Sequence, residues 1–139
     1  MATDVRPSNW PLGSGYSHGF SAEGRAVFVA GQIGWDPVTQ TIVPGEMPAQ
    51  VRQALANIVT VLEAAGAEAG HLVRLTWFVT DREAYLRDRK AIGAAYREVI
   101  GRHFPPMSVI IVAGLLEPGA MVEIEATAVI PSDTNSTGA

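Results

Sequence analysis

Residues 103–131, HFPPMSVIIVAGLLEPGAMVEIEATAVIP, hold two apolar runs separated by turn residues. Positions 107–113 and 121–130 are rich in β-branched side chains, and Gly114 with Glu117-Pro118-Gly119 stands between them. That punctuation predicts two strands joined as a β-hairpin. Side chains alternate across a strand, so Val122, Ile124, Ala126, Ala128 and Ile130 face one way. Glu123, Glu125, Thr127 and Val129 face the other. Two carboxylates therefore share one face of the second strand.

The chain before this segment reads as alternating strands and helices. About a dozen aperiodic residues rich in Pro, Gly and Ser lead into Gly15-Tyr16-Ser17-His18-Gly19, a loop entering a first strand. AVFVAGQIG, 26–34, is a second strand, and the two are expected to form a hairpin turning near 22–25. Trp35-Asp36-Pro37 ends it. Residues 48–65 place Val51, Leu55, Ile58 and Leu62 at helical spacing, with Pro48 suited to the first turn and Gly66 to the C-terminal cap. Residues 71–80 alternate again, with Val73, Leu75, Trp77 and Val79 on one face. Thr80 with Glu83 has the form of a capping box for a second helix reaching about residue 100, whose buried stripe is Tyr85, Ile92, Tyr96 and Val99. The predicted order is ββαβαββ.

Bulk properties narrow the function classes. A chain of 139 residues with 47% hydrophobic content is expected to be one domain, 1–139, with a core over about 13–130 and flexible ends at 1–12 and 131–139. No run approaches the ~20 apolar residues of a membrane span, and the N-terminus lacks the basic and apolar regions of a signal peptide. A cytoplasmic protein with no membrane partner is expected. The absence of cysteine excludes disulfides, thiolate metal sites and cysteine nucleophiles. A net charge of −4 with scattered Lys and Arg offers no footprint for nucleic acid. His18, His71 and His103 have no metal-ligand spacing, so no metal is expected.

Two helices can cover only one face of such a sheet. The other face is expected to carry Arg74, Thr76, Phe78, Glu123, Glu125, Thr127 and Val129. That mixture is too apolar for open solvent and too charged for a dry core. A wet subunit interface in a homo-oligomer, with clefts between the faces, accommodates it.

The segments GYSHG, VFVAGQIGWDP, VRQALANIVTVLEAAGA, LVRLTWFVTD, FPPMSVIIVAGL and VEIEATAV together resemble the reactive-intermediate deaminase family, RidA, formerly YjgF, over about residues 13–130. The resemblance implies a chorismate-mutase-like α+β fold with a mixed sheet, two helices packed on one face, and a homotrimer with three ligand clefts between subunits. It also implies hydrolysis of enamines and imines without metal or cofactor. Some relatives carry nuclease or translation-inhibitor labels instead, the reading the acidic balance here favours least.

Carried over by position, the resemblance is uneven. Active members have an arginine that clamps the substrate carboxylate in a Pro-Ala-Arg-Ser motif; here the motif reads Pro105-Pro106-Met107-Ser108. A thioether cannot make the paired charge-assisted hydrogen bonds of a guanidinium. The serine before Gly-Gln is replaced by Ala30, and the asparagine three residues before the helix tyrosine by Gly93. Tyr16 and Glu123 match family site positions.

A carboxylate beside a carbon–nitrogen double bond can position and activate water, which makes Glu123 the candidate catalytic residue. The competing assignment pairs it with a basic residue such as Arg74 across the subunit interface. Tyr16 is either a ligand hydrogen-bonder or a packing residue. His18, able to exchange protons near neutral pH, is either a site residue or a hydrogen-bonded scaffold. If Met107 and Trp35 both line the cleft, it is apolar and aromatic and suits a flat ligand; alternatively Met107 fills the hairpin core and Trp35 plugs a turn. The functional expectation is a deaminase of an enamine, imine or related reactive intermediate other than the usual 2-iminoacids, the alternative being a non-catalytic trimer that binds a small metabolite.

Overall fold

Alternating burial along the strands sets the layers. The computed structural model describes residues 2–132. In chain order the elements are β1 (Thr3–Asp4), β2 (Phe20–Ser21), β3 (Arg25–Ile33), β4 (Trp35–Asp36), β5 (Thr41–Ile42) and α1 (Met47–Ala64). A 3-10 turn (Ala69–His71) then precedes β6 (Leu72–Val79), α2 (Arg82–Arg87), α3 (Arg89–Val99), β7 (Met107–Ile111) and β8 (Val122–Ile130).

The main sheet is mixed and has four strands in the order β3-β8-β6-β7. β8 lies antiparallel to both β3 and β6, and β7 runs parallel to β6 from Leu75↔Met107 to Val79↔Ile111. The expected hairpin of β7 with β8 does not form. A strand that follows a helical crossover returns parallel to its predecessor, so α2 and α3 deliver β7 alongside β6. The 112–121 connection, far longer than a two-residue hairpin turn, then carries the chain to the gap between β6 and β3. There β8 satisfies its backbone groups on both edges, which suits its strict apolar alternation.

The expected N-terminal hairpin is also replaced. β2 pairs with β1, Thr3↔Ser21 and Asp4↔Phe20, and not with β3. Residues near the N-terminus, expected to be flexible, thus hold a short pairing. Of the tail expected to be flexible, residues 133–139 lie outside the described residues.

α1 packs on β3 and β8 and against α3, so the helices share one side of the sheet. Val51, Leu55, Ile58 and Leu62 are fully buried there, as are Leu72, Leu75, Val79, Val122 and Ile124. Each such side chain contributes ~1.5–3 kcal/mol by leaving water. Leu72 replaces Val73 in this set because the β6–β8 register shifts between Leu72 and Arg74. α1 ends as its sequence predicts: Gly66 takes φ 79°, Gly66 N donates to Glu63 O at 3.0 Å, and Ala67 N donates to Leu62 O at 2.8 Å. This is a Schellman closure, which needs the left-handed residue that glycine supplies.

The second predicted helix is divided at Asp88, which caps the end of α2 and the start of α3. Its N-cap is Asp81, whose Oδ1 accepts from Ala84 N at 3.0 Å. Thr80 does not take the capping-box role. Its backbone N donates to Met121 O at 3.1 Å and its hydroxyl reaches the same oxygen at 3.4 Å, tying β6 to the start of β8.

Candidate functional site

Strand register assigns the candidate residues to faces. Met107 is the partner of Leu75, a fully buried residue on the helix side. Glu123 is the partner of Phe78 on β6 and of Ile33 on β3, and it alternates with buried Val122 and Ile124. Neighbours in register share a face, so Met107 lies on the helix-covered face and Glu123 on the open one. One chain does not bring them together.

The open face has the mixed character its sequence predicts. Phe28 is 78% exposed and Ile110 44% exposed. Phe28, Arg74, Thr76, Glu125 and Thr127 line a shallow depression of about 250 Å³. Glu123 is half-buried beside it, and its carboxylate lies over Gly31: a Cβ there would overlap Oε2 and stand 2.8 Å from Cδ. Only a residue without a side chain lets the carboxylate settle at this position. Within its own chain, among the described residues, Glu123 has no ion-pair partner, and Arg74 is in register with Thr127.

Two buried polar residues of α1 fix the strands that carry this carboxylate. Gln50 Nε2 donates to Gly119 O at 3.0 Å, and its Oε1 accepts from Met121 N at 2.8 Å. Asn57 Nδ2 donates to Trp35 O at 2.9 Å, and its Oδ1 accepts from Gln53 at 2.9 Å. Buried amides are stable only when so satisfied. Sequence reasoning overlooked both, although each is a polar residue at helical spacing within the apolar stripe of α1.

On the helix side, Met107 borders a pocket of about 300 Å³ between α2, α3, β7 and the loop at Ser14 and Gly15. Its walls are aromatic. Tyr96 stacks on Phe104 with ring centroids 5.4 Å apart and on Trp77 at 6.3 Å, and its hydroxyl donates to His103 O at 2.6 Å. Burial pushes the Tyr96 phenol well above its ordinary range. Burial also raises Tyr85, against the opposing charge of Arg89. Arg89 and Arg97 reach the same pocket. The resemblance drew attention to Met107 and Gly93 but not to these arginines.

Tyr16 and His18 belong to the loop that leads into β2. His18 stands edge-on to Trp10 at 5.1 Å and to Tyr16 at 5.4 Å, with Nε2 2.8 Å from Pro11 O. Ser17 Oγ fastens the loop by donating to Phe104 O at 2.7 Å. Both residues line a cavity of about 410 Å³ with Arg6, Arg102 and His103. Gly15 touches this cavity and the Met107 pocket alike. Trp35 lies apart, pairing with Ile42 in the β4–β5 turn and lining a separate depression with Gln40 and Glu117. Trp35 and Met107 therefore form no common pocket within a chain.

His71 and His103 are half-buried and engaged: Glu68 N donates to His71 Nδ1 at 3.1 Å, and His103 Nε2 is 2.7 Å from Leu72 O. Among the described residues no group of three or more His, Cys, Asp or Glu could hold a metal ion. No helix of the described residues is long and apolar enough to cross a membrane.

Comparison with known proteins agrees with this architecture. The family model described as endoribonuclease L-PSP matches residues 10–130. The 2-iminobutanoate/2-iminopropanoate deaminase of Escherichia coli K12 is 35% identical over 133 residues, covering 93% of this chain and 98% of its own. Protein DfrA of Myxococcus xanthus is 37% identical over 109 residues, covering 76% and 77%. The crystal structure of the Rid-family protein YyfB from Yersinia pestis, described as of unknown function, superposes with a TM-score of 0.81 at 32% identity over 93% of this chain and 98% of that one. With its chorismate-mutase-like α+β fold and near full-length matches, the chain belongs to the RidA family, also described as endoribonuclease L-PSP.

Proposed function

We propose that this protein is a hydrolytic deaminase, independent of metal and cofactor, that acts on an enamine, imine or related reactive intermediate in a cleft between the subunits of a homotrimer. The observation that carries the reading is the placement of Glu123: a half-buried carboxylate on the open face, resting over Gly31, with no cation beside it among the described residues. Within its own chain the carboxylate is left available as a base. The names of relatives such as the E. coli 2-iminobutanoate/2-iminopropanoate deaminase support the reaction class.

The chemistry asks little more of the protein. Glu123 takes a proton from water as the oxygen bonds to the carbon of the protonated C=N, giving a neutral carbinolamine. Glu123 then passes that proton to nitrogen, and as the C–N bond breaks the hydroxyl gives its proton back to Glu123, so that ammonia leaves a carbonyl compound. An enamine joins the path after protonation at carbon. Base catalysis of this kind contributes about 10²–10⁴-fold.

The trimer is supported by the open face, whose exposed Phe28 and Ile110 need cover, and by the separation of Met107 from Glu123. A cleft using both takes one from each of two chains. The net charge of −4 speaks against RNA as substrate, and the absence of cysteine suits a cytoplasmic setting.

Met107, where active relatives have a guanidinium, points away from the usual small 2-iminoacids. The test is ammonia release measured against buffer alone, from 2-iminopropanoate and from bulkier imines, with Glu123→Gln alongside. Slow release from 2-iminopropanoate and a Glu123-dependent rate on a bulkier imine are expected. If no imine gives a Glu123-dependent rate while ligands still bind, the protein is a non-catalytic metabolite binder.

A further inference from the structure

We propose that Arg97, assisted by Arg89, is the anion-binding element of this chain, and that the Met107 pocket takes a carboxylate carrying a flat apolar group. The inference rests on the deaminase reading for its reaction, and on the pocket alone for binding.

Positions 89, 93 and 97 follow one another at i, i+4 along α3 and so share a face. Two arginines flank a glycine. Arg97 Nη1 stands 3.4 Å from the place a Cβ would take on Gly93, and beyond its chain neighbours and the backbone of its own helix nothing else lies within 4 Å of it. Core packing therefore does not require glycine here, although glycine inside a helix is destabilising relative to alanine. A longer side chain at 93 would meet the guanidinium.

Neither arginine is neutralised. Arg52, Arg82 and Arg87 pair with Glu98, Glu83 and Asp88, whereas Arg89 and Arg97 have no ion-pair partner among the described residues. Both instead border a pocket walled by Tyr85, Tyr96, Phe104 and Trp77. Trp77 supplies a second observation. It lines this pocket, and its Nε1 is the buried side-chain polar atom left without a partner among the described residues, a donor whose cost an acceptor brought to it would relieve. Aromatic walls, a thioether and two free guanidiniums recognise a planar apolar body with an anionic end. The charge lost at position 107 is thus supplied from α3, in a wider and flatter site.

The test is calorimetric titration of the purified protein with phenylpyruvate, which needs no turnover, beside pyruvate and the neutral ketone phenylacetone. Phenylpyruvate is expected to bind more tightly than either. Arg97→Gln is expected to weaken phenylpyruvate ~10–100-fold, the range for a hydrogen bond to a charged group, while phenylacetone is unaffected. Arg97→Lys, which keeps charge without the fork, recovers only part. Arg82→Gln, outside the pocket, is the control and leaves affinity unchanged. Unchanged phenylpyruvate affinity in Arg97→Gln, or no binding by the unaltered protein, overturns the proposal while the Glu123 reaction test stands on its own. Arg97-dependent binding with no Glu123-dependent turnover overturns the reaction and leaves the pocket.

Discussion

Met107 and Glu123 stand on opposite faces of one sheet, Met107 in register with core residue Leu75 and Glu123 with Phe78 on the uncovered side. A reaction that uses both surfaces needs a second copy of the chain. Subunit mixing tests this directly. Glu123→Gln removes the base from one surface, and Met107→Trp fills the pocket on the other; each alone is expected to be inactive. When the two variants are unfolded together and reassembled, some clefts receive an intact surface from each parent, and ammonia release returns. A mixture as inactive as its parents would place both residues in separate sites.

Gly31 is where the position of the carboxylate can be changed without touching it. A Cβ there overlaps the end of the Glu123 side chain and not fixed backbone, so the chain can fold with the carboxylate displaced. Gly31→Ala is expected to change Tm little and to lower ammonia release by up to about 10²-fold, the cost of misplacing a catalytic group by about 1 Å. Equal activity in Gly31→Ala and the unaltered protein shows that Glu123 acts elsewhere or not at all.

Gly93 makes the opposite kind of prediction. Alanine at that helical position is expected to stabilise the protein by about 0.5–1 kcal/mol and raise Tm by about 2–4 °C, since only the mobile end of Arg97 must give way. Calorimetric unfolding of both proteins measures it. A lower Tm means that packing demands the glycine, and one support for the Arg97 pocket is then lost.

What the sequence disclosed was local, and what it hid was pairing. Alternation along 122–130 placed Glu123 and Glu125 on one face correctly, because a strand's faces depend only on its own residues. The partners of β7 and β8 did not follow, since turn residues at 114–119 suit a hairpin and a longer connection equally. Only the geometry of the β6–α2–α3–β7 crossover settles which strand is adjacent. The site divides in the same way. The resemblance drew attention to the motif around Met107, but Arg89 and Arg97 look like ordinary solvated helix charges until α3 is seen against β7.

Tyr96 gives the protein a pH dependence at the alkaline end. Its folded-state pKa is raised by burial, so above the ordinary phenol value of about 10 the unfolded chain loses a proton that the folded chain keeps. Its contribution is fully present below that value and declines as pH rises past it. Urea midpoints are expected to fall between about pH 9 and 11, and less steeply in Tyr96→Phe. That variant also loses the bond to His103 O, about 1 kcal/mol at all pH values. An equal slope in both proteins would show that Tyr96 is accessible to solvent in its folded state.

Gln50 joins stability to the site. It is 3% exposed, and its amide holds Gly119 O and Met121 N immediately before β8 begins. Gln50→Ala leaves those two backbone groups without partners, at about 1–3 kcal/mol for each that water cannot reach. A clear drop in the urea midpoint with an unchanged slope is expected. Gln50→Glu separates the two contributions. A carboxylate still accepts from Met121 N but while ionised cannot donate to Gly119 O and carries an unpaired buried charge, so its loss at neutral pH exceeds that of alanine and shrinks as acid protonates it. If Gln50→Ala unfolds at the parent's midpoint, the connection into β8 is held by other contacts, and the alignment of Glu123 owes nothing to α1.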